Sequence, residues 1–312
     1  MSAPTVSDPF GGATEAVAPI GPPDPMGQPI RGPRALDDSW SRFWQLAYNI
    51  ARSEFKLKFF GSALGYVWQV MRPLLLFGVL YVFFVKIFHV DRAQGAAARF
   101  YGVQLLGSIV LVTFFNEATG GAVRSVVDRE NLVRKIQFPR LAIPISVVLL
   151  ALFNLGLNLV VVMIFAVASG VRPMLSWFEL PLIIAMIVVL STGVSMLLSA
   201  LFVRFRDIQP IWEVALQILL YASPVILPAE TVRRELAHGT FKHVLYHVYT
   251  LNPLVAVFQQ FRHAMINHGT LSAGQIMGSW AALIEPLALV AVIFVVGFWV
   301  FNREAPHIAE DL

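Results

Sequence analysis

The sequence predicts an all-α integral membrane protein: six transmembrane helices, an N-terminal amphipathic interfacial helix, a cytoplasmic helix between two spans and an external re-entrant helical hairpin. Three observations carry this. Of 312 residues 57% are hydrophobic and only 13% charged, with a mean hydropathy of +0.69; a bundle of bilayer-spanning helices needs that much apolar surface and a soluble domain of this size does not. Two stretches of more than 20 residues, within 141–168 and 180–203, carry no charge. The cations are distributed unevenly between alternate loops. There is no cysteine, so disulfides and thiol chemistry are excluded.

Residues 1–36 hold eight prolines and five glycines with almost no apolar periodicity and are expected to form a disordered cytoplasmic tail. No apolar core follows the first Met, so no cleaved signal peptide is expected. The next segment, 37–60, is different. Trp40, Phe43, Trp44, Ala47, Ile50, Ala51 and Phe55 recur at helical spacing, with Arg42, Gln45, Asn49, Arg52 and Lys56 opposite. Aromatic residues facing basic ones suit a helix lying in the inner-leaflet interface, its cations toward anionic headgroups; an ordinary packed amphipathic helix is the alternative.

The transmembrane region is placed at 61–302, with a C-terminal tail at 303–312. Six spans are expected, at 66–89, 100–123, 141–168, 180–203, 208–227 and 278–301. The first has Arg72 and Lys86 near its ends, where long side chains reach the headgroups. The fifth is short and interrupted by Pro210 and Pro224.

Between the second and third spans lies a charged helix, 128–138. Asp128 can cap its start, Glu130 lies in its first turn and Arg134 and Lys135 in its last, the polarity a helix dipole favours. Leu132, Val133 and Ile136 give it an apolar side, and Pro139 biases Phe138 out of the helix. A solvated connector does not need this construction; a rigid handle for another protein does.

Orientation follows from the Lys/Arg count. With the N-terminus cytoplasmic, inside segments hold 15 and outside segments seven, Lys86 lying within a span. Both termini and the charged handle are therefore expected in the cytoplasm. The segment 228–277 is then external. Within it Leu254, Val257, Phe258 and Phe261 share one side of a stretch too short and polar to span, yet apolar enough to dip into the bilayer against protein or water. That makes it a candidate gate, with a simple external cap as the alternative.

Other motifs carry less. Leu271–Gln275 reads Leu-Ser-Ala-Gly-Gln, like the signature of an ATP-binding cassette, but no Gly-Lys dipeptide is present for a phosphate-cradling loop. His243 and His247 are four apart, but the position after His243 is Val244, not the Glu of a zinc-hydrolase helix. No metal site and no catalytic residue is expected. Glu117, Glu213 and Glu285 fall in predicted spans and should face the bundle interior or a wet path. Tyr81, Phe83, Phe84, Phe88, Phe114, Phe115 and Tyr221 supply flat apolar surface suited to sugar rings, though phenylalanine also faces lipid.

Four stretches together resemble one family. These are Phe60–Pro73 (Phe-Gly-Ser-Ala-Leu-Gly-Tyr-Val-Trp-Gln-Val-Met-Arg-Pro), Glu130–Pro139 ahead of Pro144, Ser223–Pro228, and Leu251–Leu254 followed by Phe261–Arg262. Their order and spacing are similar to the membrane subunit of an ABC-2 type exporter, in the branch that moves polysaccharides and polyol phosphates such as O-antigen, capsule, teichoic acid and galactan. The likeness runs from about residue 38 to the end.

The resemblance implies a homodimer of six-span subunits in the bacterial inner membrane, each bound to a cytoplasmic ABC ATPase. The chain is then a transport channel and not an enzyme, with no cofactor of its own; ATP and magnesium belong to the partner. Glu130, Asn131, Leu132, Val133, Arg134, Lys135, Ile136 and Phe138 correspond to the helix that docks on the ATPase. Tyr81, Phe84, Phe88, Phe114 and Phe115 correspond to aromatics of the channel, and Asn252, Pro253, Phe258 and Arg262 to the external gate. The substrate implied is a glycan on a polyprenyl pyrophosphate, its anionic head met by Arg52, Lys56 and Lys58. Membrane lipids are further partners, and nucleic acid is not. Two alternatives are an ABC-2 exporter of a drug or small lipid, and an ion-coupled secondary transporter working through Glu117 or Glu213.

Overall fold

The computed structural model describes residues 40–59, 65–89, 99–130, 139–236, 240–266 and 270–305. Among these residues the regular structure is helical, with no strand. The first helix, α1, is Trp40–Phe59, and α2 is Gly65–Tyr81, continued by a π-helical turn, Val82–Ile87. The next two are α3, Tyr101–Val123, and α4, Ala142–Ala168. Then follow α5, Leu180–Arg204, α6, Ile208–Tyr221, and α7, Ala229–Glu235. The last four are α8, Thr240–Leu251, α9, Pro253–Ile266, α10, Ala273–Ile276, and α11, Ile284–Glu304.

Helix α3 is the axis of the molecule. Its apolar residues show no single face, and 17 of its 23 residues are buried, so it is surrounded rather than leaned upon. Helices α2, α4, α5, α6 and α9 all pack on it. A second apolar cluster lies where Phe43 and Ala47 of α1 meet Leu141–Ile143, Met196 and Ala200 of α5, and Phe301 of α11. Arg140, 3% exposed, donates to the carbonyl of Ala305, so the end of the α3–α4 loop is tied to the end of α11.

Five helical segments are long and apolar enough to cross a membrane: Val67–Ile87, Tyr101–Val123, Ala142–Ala168, Leu175–Arg204 and Ala281–Glu304. The expected fifth span is shorter than its sequence range. Helix α6 stops at Tyr221 after 14 residues, a rise of about 21 Å against a hydrocarbon core of about 30 Å. Pro224 disfavours helical backbone at Ser223, and the chain turns there. The last expected span also begins later, because a bend at Gly278 (φ +90°) and a 3-10 turn, Ala281–Leu283, precede α11.

The α5–α11 contact is the closest helix pairing. A Cβ placed on Gly193 would lie 2.7 Å from the Cα of Phe294, and one on Gly297 would overlap the carbonyl of Gly193. Backbones approach this closely only where side chains are absent. By contrast a Cβ on Gly156 of α4 meets nothing within 4 Å.

Candidate functional site

The α3–α4 loop was expected to carry the handle. The described part reaches Glu130, after a 3-10 turn, Val127–Arg129; Asn131, Leu132, Val133, Arg134, Lys135, Ile136 and Phe138 lie outside the described residues. Asp128, expected as a cap, faces Arg124 at 3.8 Å in an exposed pair, an interaction worth little. The stronger link is one the sequence reading did not single out. Arg129 pairs with Glu54 of α1 and also donates to the Ser125 carbonyl at 3.3 Å. Burial pushes the Arg129 guanidinium below its usual value, which is desolvation acting on a charged group. Glu54 is the lone acid among the basic residues of α1, and that isolation was the available signal.

Helix α1 only partly matches its expected apolar face. Phe43, Ala47 and Ala51 are buried, whereas Trp40 and Trp44 are exposed at 64% and 39%. The stripe at i, i+4, i+8 is the seam against α4, and the tryptophans flank it. Arg52, Lys56 and Lys58 are exposed. The pair Glu54–Arg129 ties α1 to the loop. Reversing either charge, by Glu54→Arg or Arg129→Glu, is expected to raise hydrogen exchange several-fold over 40–59 and 124–130 with the core retained, and the double reversal to restore part of the protection. Unchanged exchange in both single variants would remove this link.

Of the three acids predicted in spans, Glu117 alone faces inward. It accepts from Gln69 of α2 at 3.0 Å and from Asn154 of α4 at 2.7 Å, joining three helices. Beside it a cleft of about 580 Å³ opens between α1, α3 and α4. Glu213 is exposed on α6, accepting from Gln209 at 3.0 Å, and Glu285 is exposed in the first turn of α11. Neither packs into the bundle interior among the described residues, the first of the two placements expected. A helix N-terminus accommodates the charge of Glu285.

The residues expected to form an external gate converge. Asn252 accepts from the Leu254 amide at 3.0 Å, capping α9, and its amide donates to the Ala222 carbonyl and the Ser223 hydroxyl, each at 3.2 Å. The carbonyl that α6 leaves open at its end is thus satisfied from α9. Pro253 and Phe258 are buried in α9. Arg262, 1% exposed, donates to Ser108 of α3 at 3.3 Å and to the Val225 carbonyl at 3.1 Å. Glu230, close enough to Arg262 to act on it electrostatically, is itself held by Gln259 at 2.7 Å and the Leu271 amide at 3.1 Å. Tyr249 lies in the same group, and burial pushes its phenol above the usual range. The Leu271–Gln275 stretch has a local use: Ser272 and Gln275 form a capping box at α10.

The expected channel aromatics separate into two sets. Phe114 and Phe115 are each 2% exposed and belong to the core cluster of the single chain. Tyr81 and Phe84 are half-buried and Phe88 is exposed at 60%. The Phe84 and Phe88 centroids lie 6.1 Å apart, with Phe83 within 5.4 Å of either. Helix α2 leaves Leu75 and Val79 outward, and α6 leaves Ile211, Val214, Ile218 and Tyr221 outward, two apolar faces left uncovered among the described residues.

Comparison with known proteins places this architecture. Residues 45–266 match the ABC-2 type transporter family. The O-antigen export system permease protein RfbA of Myxococcus xanthus is 26% identical over 271 residues, 86% of this chain and 95% of the relative. Two Klebsiella pneumoniae proteins of the same name are 27% and 24% identical, each covering 84% of this chain and 93% of the relative. The family match runs from within α1 to the end of α9, and the chain belongs to the ABC-2 type transporter family.

Proposed function

We propose that this protein is the permease subunit of an ABC exporter that carries a polysaccharide on a polyprenyl pyrophosphate from the cytoplasm to the outer face of the inner membrane. The observation that carries the reading is the alignment, nearly end to end, with three permeases named for O-antigen export. A separate ATPase, holding ATP and magnesium, supplies the work, and this chain hydrolyses nothing. Glu130–Phe138 dock on that ATPase, and the Glu54–Arg129 pair passes the motion to α1.

In this reading both termini are cytoplasmic and α6, lengthened by the chain that follows it, is a sixth crossing. The pair α8–α9 is the re-entrant gate, with Asn252, Pro253, Phe258 and Arg262 seating it. Two copies meet through the apolar faces of α2 and α6, which supports a homodimer whose lumen receives Tyr81, Phe84 and Phe88. Arg52, Lys56 and Lys58 meet the anionic head at the inner leaflet.

The test is depletion of the protein in its native cells with lipid-linked glycans followed by leaflet. Polymer is expected to build up on the cytoplasmic side while surface polymer falls. Unchanged pools on both sides would overturn the sugar assignment. Charge reversal at Glu130 and Arg134 is expected to stop export while membrane insertion persists.

A further inference from the structure

The cleft between α1, α3 and α4 has a chemistry of its own. Its volume, about 580 Å³, is within the range of small-ligand sites, about 300–1,000 Å³. The inner end is rich in acceptors. Glu117 receives two amide N–H groups, and a carboxylate offers about four lone-pair directions, so it can accept more. Asn154, 3% exposed, donates its amide to Glu117 at 2.7 Å and keeps its Oδ1 buried, so its part is to hold the carboxylate in place.

Charge narrows what such a place takes. Glu54, Glu117 and Asp128 line it against Lys58 and Arg129, so a bare diphosphate meets an excess of negative charge. No group of three His, Asp or Glu side chains converges as metal ligands among the described residues. A neutral polyol suits both ends: its hydroxyl protons go to Glu117, and its oxygens accept from Arg129, whose guanidinium has five N–H donors. Val147, Leu150 and Ala151 offer aliphatic wall to the C–H face of a ring.

We propose that this cleft binds a sugar of the exported glycan, the one nearest the lipid, with Glu117 as its principal acceptor; the proposal rests on the export reading. Arg52 and Lys56 lie two residues either side of Glu54 on α1, so the anionic head sits outside the cleft while the sugar enters it.

The natural absence of cysteine makes the test direct. A single thiol is placed by Leu150→Cys in the intact permease–ATPase complex in native membranes, and its reaction with a small maleimide is timed after ATP depletion. Cells that make the lipid-linked glycan are compared with cells blocked at the first sugar transfer, where undecorated carrier remains. Labelling is expected to slow several-fold only where the glycan is present, and Glu117→Ala is expected to abolish the protection. Equal rates in the two cell types would overturn the proposal, as would equal protection by undecorated carrier, which would mark an anion site. Asp128→Cys, at the exposed mouth, repeats the measurement should Leu150→Cys not fold. Surface polymer measured beforehand separates the two readings: normal export without protection removes the sugar site and leaves the export function standing.

Discussion

Gly297→Val should cost this protein its α5–α11 pairing. A side chain at Gly297 runs into the carbonyl of Gly193, and one at Gly193 runs into the backbone of Phe294. Overpacking a well-packed site costs about 1–3 kcal/mol when side chains can retreat. Here the obstacle is backbone on both sides, so the helices must separate. Separation also opens the cluster around Phe301, Met196 and Ala200, to which α1 is attached. The expected result is a melting temperature in detergent lowered well below that of the natural protein, with much of the chain aggregated on size exclusion. Gly193→Ala should fall in the same direction. Gly156→Ala is the control: nothing lies within 4 Å of its added Cβ, and alanine's helix preference favours it by up to about 1 kcal/mol. Natural-like melting of Gly297→Val would show that the pairing tolerates a wider spacing.

Arg262→Ala should be comparably severe for a different reason. The guanidinium is buried and bonds both Ser108 on α3 and the Val225 carbonyl in the turn after α6. Truncation leaves those partners unsatisfied, at about 1–3 kcal/mol for each buried polar group left without a bond, and takes a positive charge from the neighbourhood of Glu230. Arg262→Lys should rescue little, since a single ammonium does not reproduce the planar fork that reaches two partners at once. Because α9 is otherwise seated by apolar contacts of Phe258 and Phe261, the loss should be local: α9 loosens while α3–α5 hold. Hydrogen exchange should therefore rise first over 253–266 and the 222–228 turn. Uniform exchange across the whole chain would show that Arg262 supports the core and not the gate in particular.

Membrane character and the run of long helices followed from composition and hydropathy, because every backbone polar group in lipid must be satisfied within its own helix. Four of the expected spans therefore lie within a few residues of observed helices. Boundaries set by tertiary contacts were not readable. Pro224 signalled the end of α6, but the group that satisfies the Ala222 carbonyl there is Asn252, thirty residues away. The late start of α11 depends on a left-handed Gly278. Asn252, Pro253, Phe258 and Arg262 were singled out from the sequence, but that Asn252 and Arg262 bind the 222–228 turn and α3 was visible only in the fold.

Charge behaved the same way. That Glu117 faces inward was an expectation shared with Glu213 and Glu285, and a hydropathy pattern has no means of separating the three. Gln69 and Asn154, on two other helices, made the difference for Glu117. The pairing of Glu54 with Arg129 crosses 75 positions, and such a link leaves no periodicity to read. By itself, then, the sequence determined a membrane protein of long apolar helices, because burial in lipid is a property of each segment alone. Only the tertiary structure decided which aromatics are core, which acid lines a cleft and where helices touch backbone to backbone, because those depend on which distant residues arrive at the same place.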